Sequence, residues 1–305
     1  MRKDGRRVKD ADPMYTVVPY IMNKRYDAMN MITLDIPVDT IRDYIKEKRR
    51  EGVYMSHLGV IIAAYLRTAK HYPLLNRFVV NKKIYDRNAF DVAMVVLKNS
   101  ADDEGTMSKI RFDMDDDVLV VQSKIDKYIN DNRSKENSNS TDKLIKTLLK
   151  LPGLCNIGVG IFKFMDKHGW LPSSIINASP FHTSLTVSNL ASIKTNHIYH
   201  HVYEFGTTSV FITIGNMREV AFREKGEIVF KKCLPLGVVM DERICSGSYF
   251  ANAFRNIKAY LTNPRLLEGP DRGPVDKLGR EDEDSMEIPM PAPVAVNATL
   301  SEGAN

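Results

Sequence analysis

Apolar and polar positions change period along the chain in a way that lays out its elements. Met31 to Ile36, "MITLDI", reads as a strand. Pro37-Val38-Asp39 then starts a helix through Arg50, with Val38, Ile41 and Ile45 on one stripe and Gly52 as its stop. Ser56 is placed to cap a second helix, "HLGVIIAAYLRTAKHY", with Leu58, Ile61, Ile62, Tyr65, Leu66 and Ala69 on its apolar face and Pro73 at its end. Two short strands around Asn81-Lys82-Lys83 form a hairpin, "FDVAMVVL" is another strand, and Val118, Val121, Ile125 and Ile129 mark a third helix. After Pro180 the period shortens to two: "HTSLTVSNL", "SVFITIG", and a hairpin from "EVAFRE" through Lys225-Gly226 to "EIVFKKCLPLGVVM". A last helix, Tyr249 to Leu261, carries Phe250, Phe254, Ile257 and Leu261 on one face and ends before Asn263-Pro264.

This order implies an α+β architecture, a mostly antiparallel sheet with its helices on one side. Residues 144–170 are apolar but broken by Pro152, Gly153, Gly158 and Gly160. They predict a helix pair that packs over the core or lines a partner-facing surface. Their Gly-x-Gly lacks the third glycine and the strand-turn-helix setting of a dinucleotide site.

Composition refines the boundaries. The segment 269–305 is rich in Pro, Gly and acids, with eight acids against three bases, and reads as a disordered acidic tail. Residues 1–13 are polar and read as a flexible N-terminus, which leaves 14–268 as one folded domain. The whole chain of 305 residues carries +5, so the part before the tail carries about +10. That balance suits an anionic small-molecule ligand, but the basic residues are scattered among acids, which argues against nucleic acid. No apolar run is long enough for a membrane span and no signal peptide is legible, so the expected location is cytoplasmic. Cys155, Cys233 and Cys245 lack metal-ligand spacing, and no metal site is expected.

The candidate chemistry starts at "VMDERICSG", where the last strand gives way to the last helix. Read locally, Asp241, Glu242 and Arg243 close the strand as an ion pair, and Ser246-Gly247 supply the turn and the helix N-cap. Thr186 and Ser188 alternate along "TSLTVSNL" as ordinary cross-strand partners or as hydroxyl donors. His200 and His201 are adjacent; His182 precedes a strand as a turn residue, and His57 sits in a helix's first turn as a solvated residue.

Taken in order, five stretches resemble the catalytic domain of the 2-oxo acid dehydrogenase acyltransferases, the dihydrolipoamide acyltransferases, whose fold is shared with chloramphenicol acetyltransferase. They are "DIPVDTIRDYIKEKRREGVYMSHLGVIIAAYLRTAKHYPLLNRFV", "NKKIYDRNAFDVAMVV", "TSLTVSNL", "SVFITIG" and "DERICSG" followed by "NPRLL". The resemblance implies a chloramphenicol acetyltransferase-like fold, acyl transfer between coenzyme A and an acceptor, and a homotrimer with active sites in channels between subunits. It also implies a histidine base in the motif Asp-His-Arg-x-x-Asp-Gly, and an oxyanion donor at the positions of Ser188 or Thr186. Here the motif reads Asp241-Glu242-Arg243-Ile244-Cys245-Ser246-Gly247, so Glu242 replaces the histidine and Ser246 the aspartate that in the family helps hold the histidine loop through an arginine contact.

A thiol proton suits a base that titrates near neutrality, as imidazole does and an ordinary glutamate does not. The sequence "HHVYEFG" resembles the related form His-His-x-x-x-Asp-Gly, with Phe205 at the aspartate, and the matching segment of the fold lines the acceptor side of the channel. Two functions follow. One is a coenzyme A-dependent acyltransferase with Glu242, His200 or His201 as base. The other is a catalytically inactive trimer that keeps the channel for binding or scaffolding. Only about a dozen residues precede the domain, so no covalent lipoyl group is expected.

Overall fold

The computed structural model describes residues 2–97, 105–133 and 154–275. Its centre is a seven-stranded sheet in the order β2-β10-β8-β7-β5-β6, with β9 paired to the outer half of β10. The strands are β2 (Met29–Pro37), β5 (Phe90–Leu97), β6 (Gly105–Phe112), β7 (Leu185–Asn189), β8 (Val210–Ile214), β9 (Arg218–Glu224) and β10 (Glu227–Asp241). β7 runs parallel to both β5 and β8, and every other pairing in the sheet is antiparallel.

One face of the sheet builds the core. Leu234, Leu236, Val238 and Met240 of β10 alternate inward with Val210, Ile212 and Ile214 of β8 and Leu185 and Val187 of β7. Against them lie α2 (Asp39–Arg50), α3 (His57–His71), α4 (Val118–Arg133) and α7 (Gly247–Thr262). Every residue of α3 from Gly59 to Ala69 is buried, which fits its near-continuous apolar sequence. Ser56 accepts from the Gly59 amide as its N-cap, as its position predicts. Asn81 and Lys82 both take positive φ in the tight turn from β3 (Arg77–Val80) to β4 (Lys83–Arg87), which accounts for the asparagine.

Two expectations change. The N-terminus is not a free segment: β1 (Gly5–Arg7) pairs with β4. Arg2, 7% exposed, bonds Asp4 at 2.9 Å and Asp166 at 2.7 Å. At the other end the packing runs past 268, because Asp271 accepts from Lys70 at 3.1 Å and meets His71 Nε2 at 2.9 Å. The rest of the expected acidic tail, 276–305, lies outside the described residues, as do 144–153 of the expected helix pair and Cys155's side chain.

The other part of that pair is α5 (Leu154–His168), which is followed by the short α6 (Ser173–Ala178). Of its described side chains only Asp166 is buried, so it does not pack over the core. It and α1 (Pro13–Ile21) stand outside the helical layer.

Candidate functional site

The motif stretch closes β10 as the local reading expects, with one exception. Asp241, fully buried, accepts from the Arg243 amide at 3.1 Å, from Arg243 Nε at 2.8 Å and from Arg243 Nη2 at 2.7 Å. Arg25 Nε adds a longer contact at 3.4 Å. Burial disfavours both guanidinium charges. Its effect prevails at Arg25, whose pKa falls, while Asp241 outweighs it at Arg243, whose pKa rises. Glu242 stands outside this pair. It is half-buried, its amide donates to the Ala28 carbonyl, and its Oε2 accepts from Asn30 Nδ2 at 2.6 Å. Ser246 caps α7 through the Tyr249 amide, and a side chain on Gly247 would meet nothing within 4 Å. Here the buried arginine contact goes to Asp241.

Arg25 was not legible as a site residue. Its partners lie far off in sequence: besides Asp241 it reaches the carbonyls of Val79, Tyr203 and Gly206, and its amide donates to Glu204. One buried side chain thus ties the motif, β3 and the segment after His201 together.

That segment, residues 195–206, lies across the face of the sheet that the helices leave open. Thr33 of β2 bonds His197 Nε2 at 3.0 Å and the Tyr199 hydroxyl at 2.6 Å. Thr213 of β8 accepts from the Ile198 amide and donates back to its carbonyl. Glycine is needed beneath it: a Cβ on Gly237 would come within 2.5 Å of the Ile198 carbonyl oxygen, and one on Gly215 within 2.2 Å of the His197 amide nitrogen. Farther along, Val202 packs with Phe211 and Val239.

His200 is held on this face. Its ring stacks on Phe211 at 4.2 Å and 13°, and on His201 at 4.7 Å. Its Nδ1 lies 2.9 Å from the His201 carbonyl oxygen, so Nδ1 is the donor there, and in the neutral ring Nε2 is the nitrogen that can accept. His201 is exposed. Thr186 pairs in register with Phe211, and Ser188 with Thr213. Thr186 is buried, with its hydroxyl toward Thr183 at 3.5 Å. Ser188 is half-buried, and among the described residues its hydroxyl has no partner. The register brings Ser188, Thr186 and the Phe211 that supports His200 onto one face, while Glu242 lies past the C-terminal end of β10 beside Asn30, five residues beyond Gly237, which is level with Ser188.

His182 is neither a turn residue in solvent nor a base open to substrate. It is buried, with Nδ1 2.8 Å from Ser179 Oγ and Nε2 3.2 Å from Asp166 Oδ1. Burial lowers its pKa below the ordinary imidazole value and prevails over the opposing pull of Asp166. Serine, histidine and aspartate in a row suggest a hydrolytic triad, but all three are buried and Ser179 Oγ also accepts from the Phe181 amide. They act as a clamp between α5 and the strand region. His57 is half-buried, and burial lowers its pKa as well.

A cavity of about 450 Å³ adjoins the motif, lined by Arg25, Arg243, Glu204 and Asp166 within and by Lys24, Lys82, Lys163 and Lys167 at its rim. Among the described residues no group of three or more His, Cys, Asp or Glu side chains is arranged to hold a metal.

Comparison with known proteins bears on the same region. Residues 181–268 match the family described as 2-oxoacid dehydrogenases acyltransferase (catalytic domain). No curated protein matches the chain. Among solved structures, a probable dihydrolipoamide acetyltransferase from Listeria monocytogenes superposes with a TM-score of 0.53 at 12% identity, over 92% of this chain and 99% of that one. The dihydrolipoamide acetyltransferase of Azotobacter vinelandii gives 0.55 at 11% identity, over 83% and 88%. A truncated catalytic core of the 2-oxoacid dehydrogenase complex from Thermoplasma acidophilum gives 0.52 at 12%, over 85% and 99%. The chain has the fold of the dihydrolipoamide acyltransferase catalytic cores, and its residues 181–268 carry the sequence pattern of the 2-oxoacid dehydrogenase acyltransferase catalytic domain.

Proposed function

We propose that this protein transfers an acyl group between coenzyme A and a second carrier or acceptor, with His200 as the general base. The observation that carries this reading is the His200 tautomer: with Nδ1–H given to the His201 carbonyl, Nε2 is the acceptor that a thiol or hydroxyl proton needs. Stacking on Phe211 fixes the ring plane. Ser188, whose hydroxyl is uncommitted, is the oxyanion donor, and Thr186 supports the strand beneath it. Glu242 orients its loop through Asn30 rather than taking the proton. Asp241, Arg25 and Arg243 fix the end of β10 from which that loop leaves.

The active form is a homotrimer. The hairpin of β9 and β10 overhangs the sheet with Ile228 and Phe230 exposed, at 71% and 68%, and a neighbouring chain would cover them. The alternative of an inactive binding trimer draws on Glu242 and Ser246, both occupied by structural hydrogen bonds.

Calorimetric titration with coenzyme A and acetyl-coenzyme A, with the free coenzyme A formed from acetyl-coenzyme A and dihydrolipoamide separated by chromatography and quantified, distinguishes the two. The acyltransferase reading requires binding with coenzyme A formed as the acetyl group passes to the dithiol; binding without that transfer supports the inactive trimer.

A further inference from the structure

Helix α5 is apolar on a face that nothing described here covers. Ile157, Ile161 and Phe164 fall at helical spacing on one stripe, 50–60% exposed, and Trp170 follows at 61%. Phe164, His168 and Trp170 form one ring cluster, with Phe164 and Trp170 edge to face at 5.8 Å. The adjoining stripe carries Lys163 and Lys167. The helix's one described acid, Asp166, is turned inward to Arg2 and His182.

Across the cavity, α1 repeats the pattern. Val17, Tyr20 and Ile21 are 50–73% exposed, Lys24 follows, and Lys82 lies over the Tyr20 ring at 4.8 Å. Lys24, Lys82, Lys163 and Lys167 therefore rim one basin between two apolar ridges, and among the described residues none of the four pairs with a carboxylate. Such a face has two demands: a layer of negative charge above the lysines and an apolar medium just beyond it.

We propose that the α1–α5 face docks the protein onto an anionic phospholipid bilayer. The lysines reach the headgroup phosphates, while Ile161, Phe164, Trp170, Tyr20 and Ile21 enter the headgroup–acyl boundary. No described helix is long and apolar enough to cross a membrane, so the contact is interfacial. Charge complementarity selects the occupant: an apolar protein partner would satisfy the ridges but leave four lysines without counter-charge.

The chain has a single tryptophan, and it lies on this face, so its emission reads the docking directly. The protein is mixed with vesicles of phosphatidylcholine alone or with about one-third phosphatidylglycerol, then followed by sedimentation and by Trp170 fluorescence. The expected result is sedimentation and a blue shift with the anionic vesicles alone. Lys163→Gln with Lys167→Gln should lower partition about 30-fold, and Phe164→Asp should abolish the shift while leaving the circular dichroism unchanged. The proposal is overturned if neither vesicle binds. It is equally overturned if Phe164→Asp instead converts an oligomer to monomers, which would make the face a contact between copies.

Discussion

Asp241, fully buried, gathers donors from two arginines, so its role is decided by electrostatics rather than by the reaction. Replacing it with asparagine leaves Arg25 and Arg243 buried without their ion-pair partner, which costs about 3–5 kcal/mol. Asp241→Asn should therefore shift the denaturant midpoint sharply before any activity is considered. The Asp241–Arg243 pair and the Ser246 cap were legible in the sequence because both are local, two and three residues across. Arg25 was not, because its partner lies 216 positions away and a lone arginine gives no periodic signal. His200 drew notice through the resemblance of "HHVYEFG" to a family motif; the carbonyl that its Nδ1 meets is a matter of backbone geometry.

At the scale of elements, most strands and helices followed from alternation and caps, and the exceptions have physical causes. β6 was missed because two of its inward residues, Thr106 and Ser108, are polar and mask the alternation; Ser108 finds the Tyr128 hydroxyl inside. The N-terminal strand was missed because its stabilising contacts are ionic, Arg2 to Asp4 and Asp166, rather than apolar. That ionic clamp carries a pH signature. His182 keeps a depressed pKa in the folded chain, whereas the unfolded chain binds its proton near pH 6.5. Protonation thus favours unfolding, so this share of stability is present above about pH 6.5 and is lost as the pH falls below it. Asp4 and Asp166, both held below the ordinary carboxylate range against the effect of burial, extend the loss below about pH 4. Melting temperatures across this range should fall for the native chain and fall less between pH 7 and 5 for His182→Gln.

For the molecule as a whole, the order of elements specified a mostly antiparallel sheet with one covered face, and the acyltransferase fold follows that order. The sequence left unsaid what crosses the open face, since the 195–206 segment is held by Thr33, Thr213 and two glycines rather than by a repeating pattern. Oligomerisation belongs to this scale. Sedimentation should give a mass three times that of the 34.6 kDa chain, and Ile228→Asp with Phe230→Asp, on the overhanging hairpin, should reduce it to one. A native chain that sediments as a monomer would remove the trimer from the account.

The central claim is that the proton moves through His200 while Glu242 serves its loop. It is tested by the rate at which free coenzyme A, separated by chromatography, forms from acetyl-coenzyme A with dihydrolipoamide as acceptor, in the native protein, His200→Asn and Glu242→Gln. The account predicts a loss of about 10²- to 10⁴-fold for His200→Asn, with Glu242→Gln within a few-fold of native. Full activity in His200→Asn, or its collapse in Glu242→Gln alone, would contradict it.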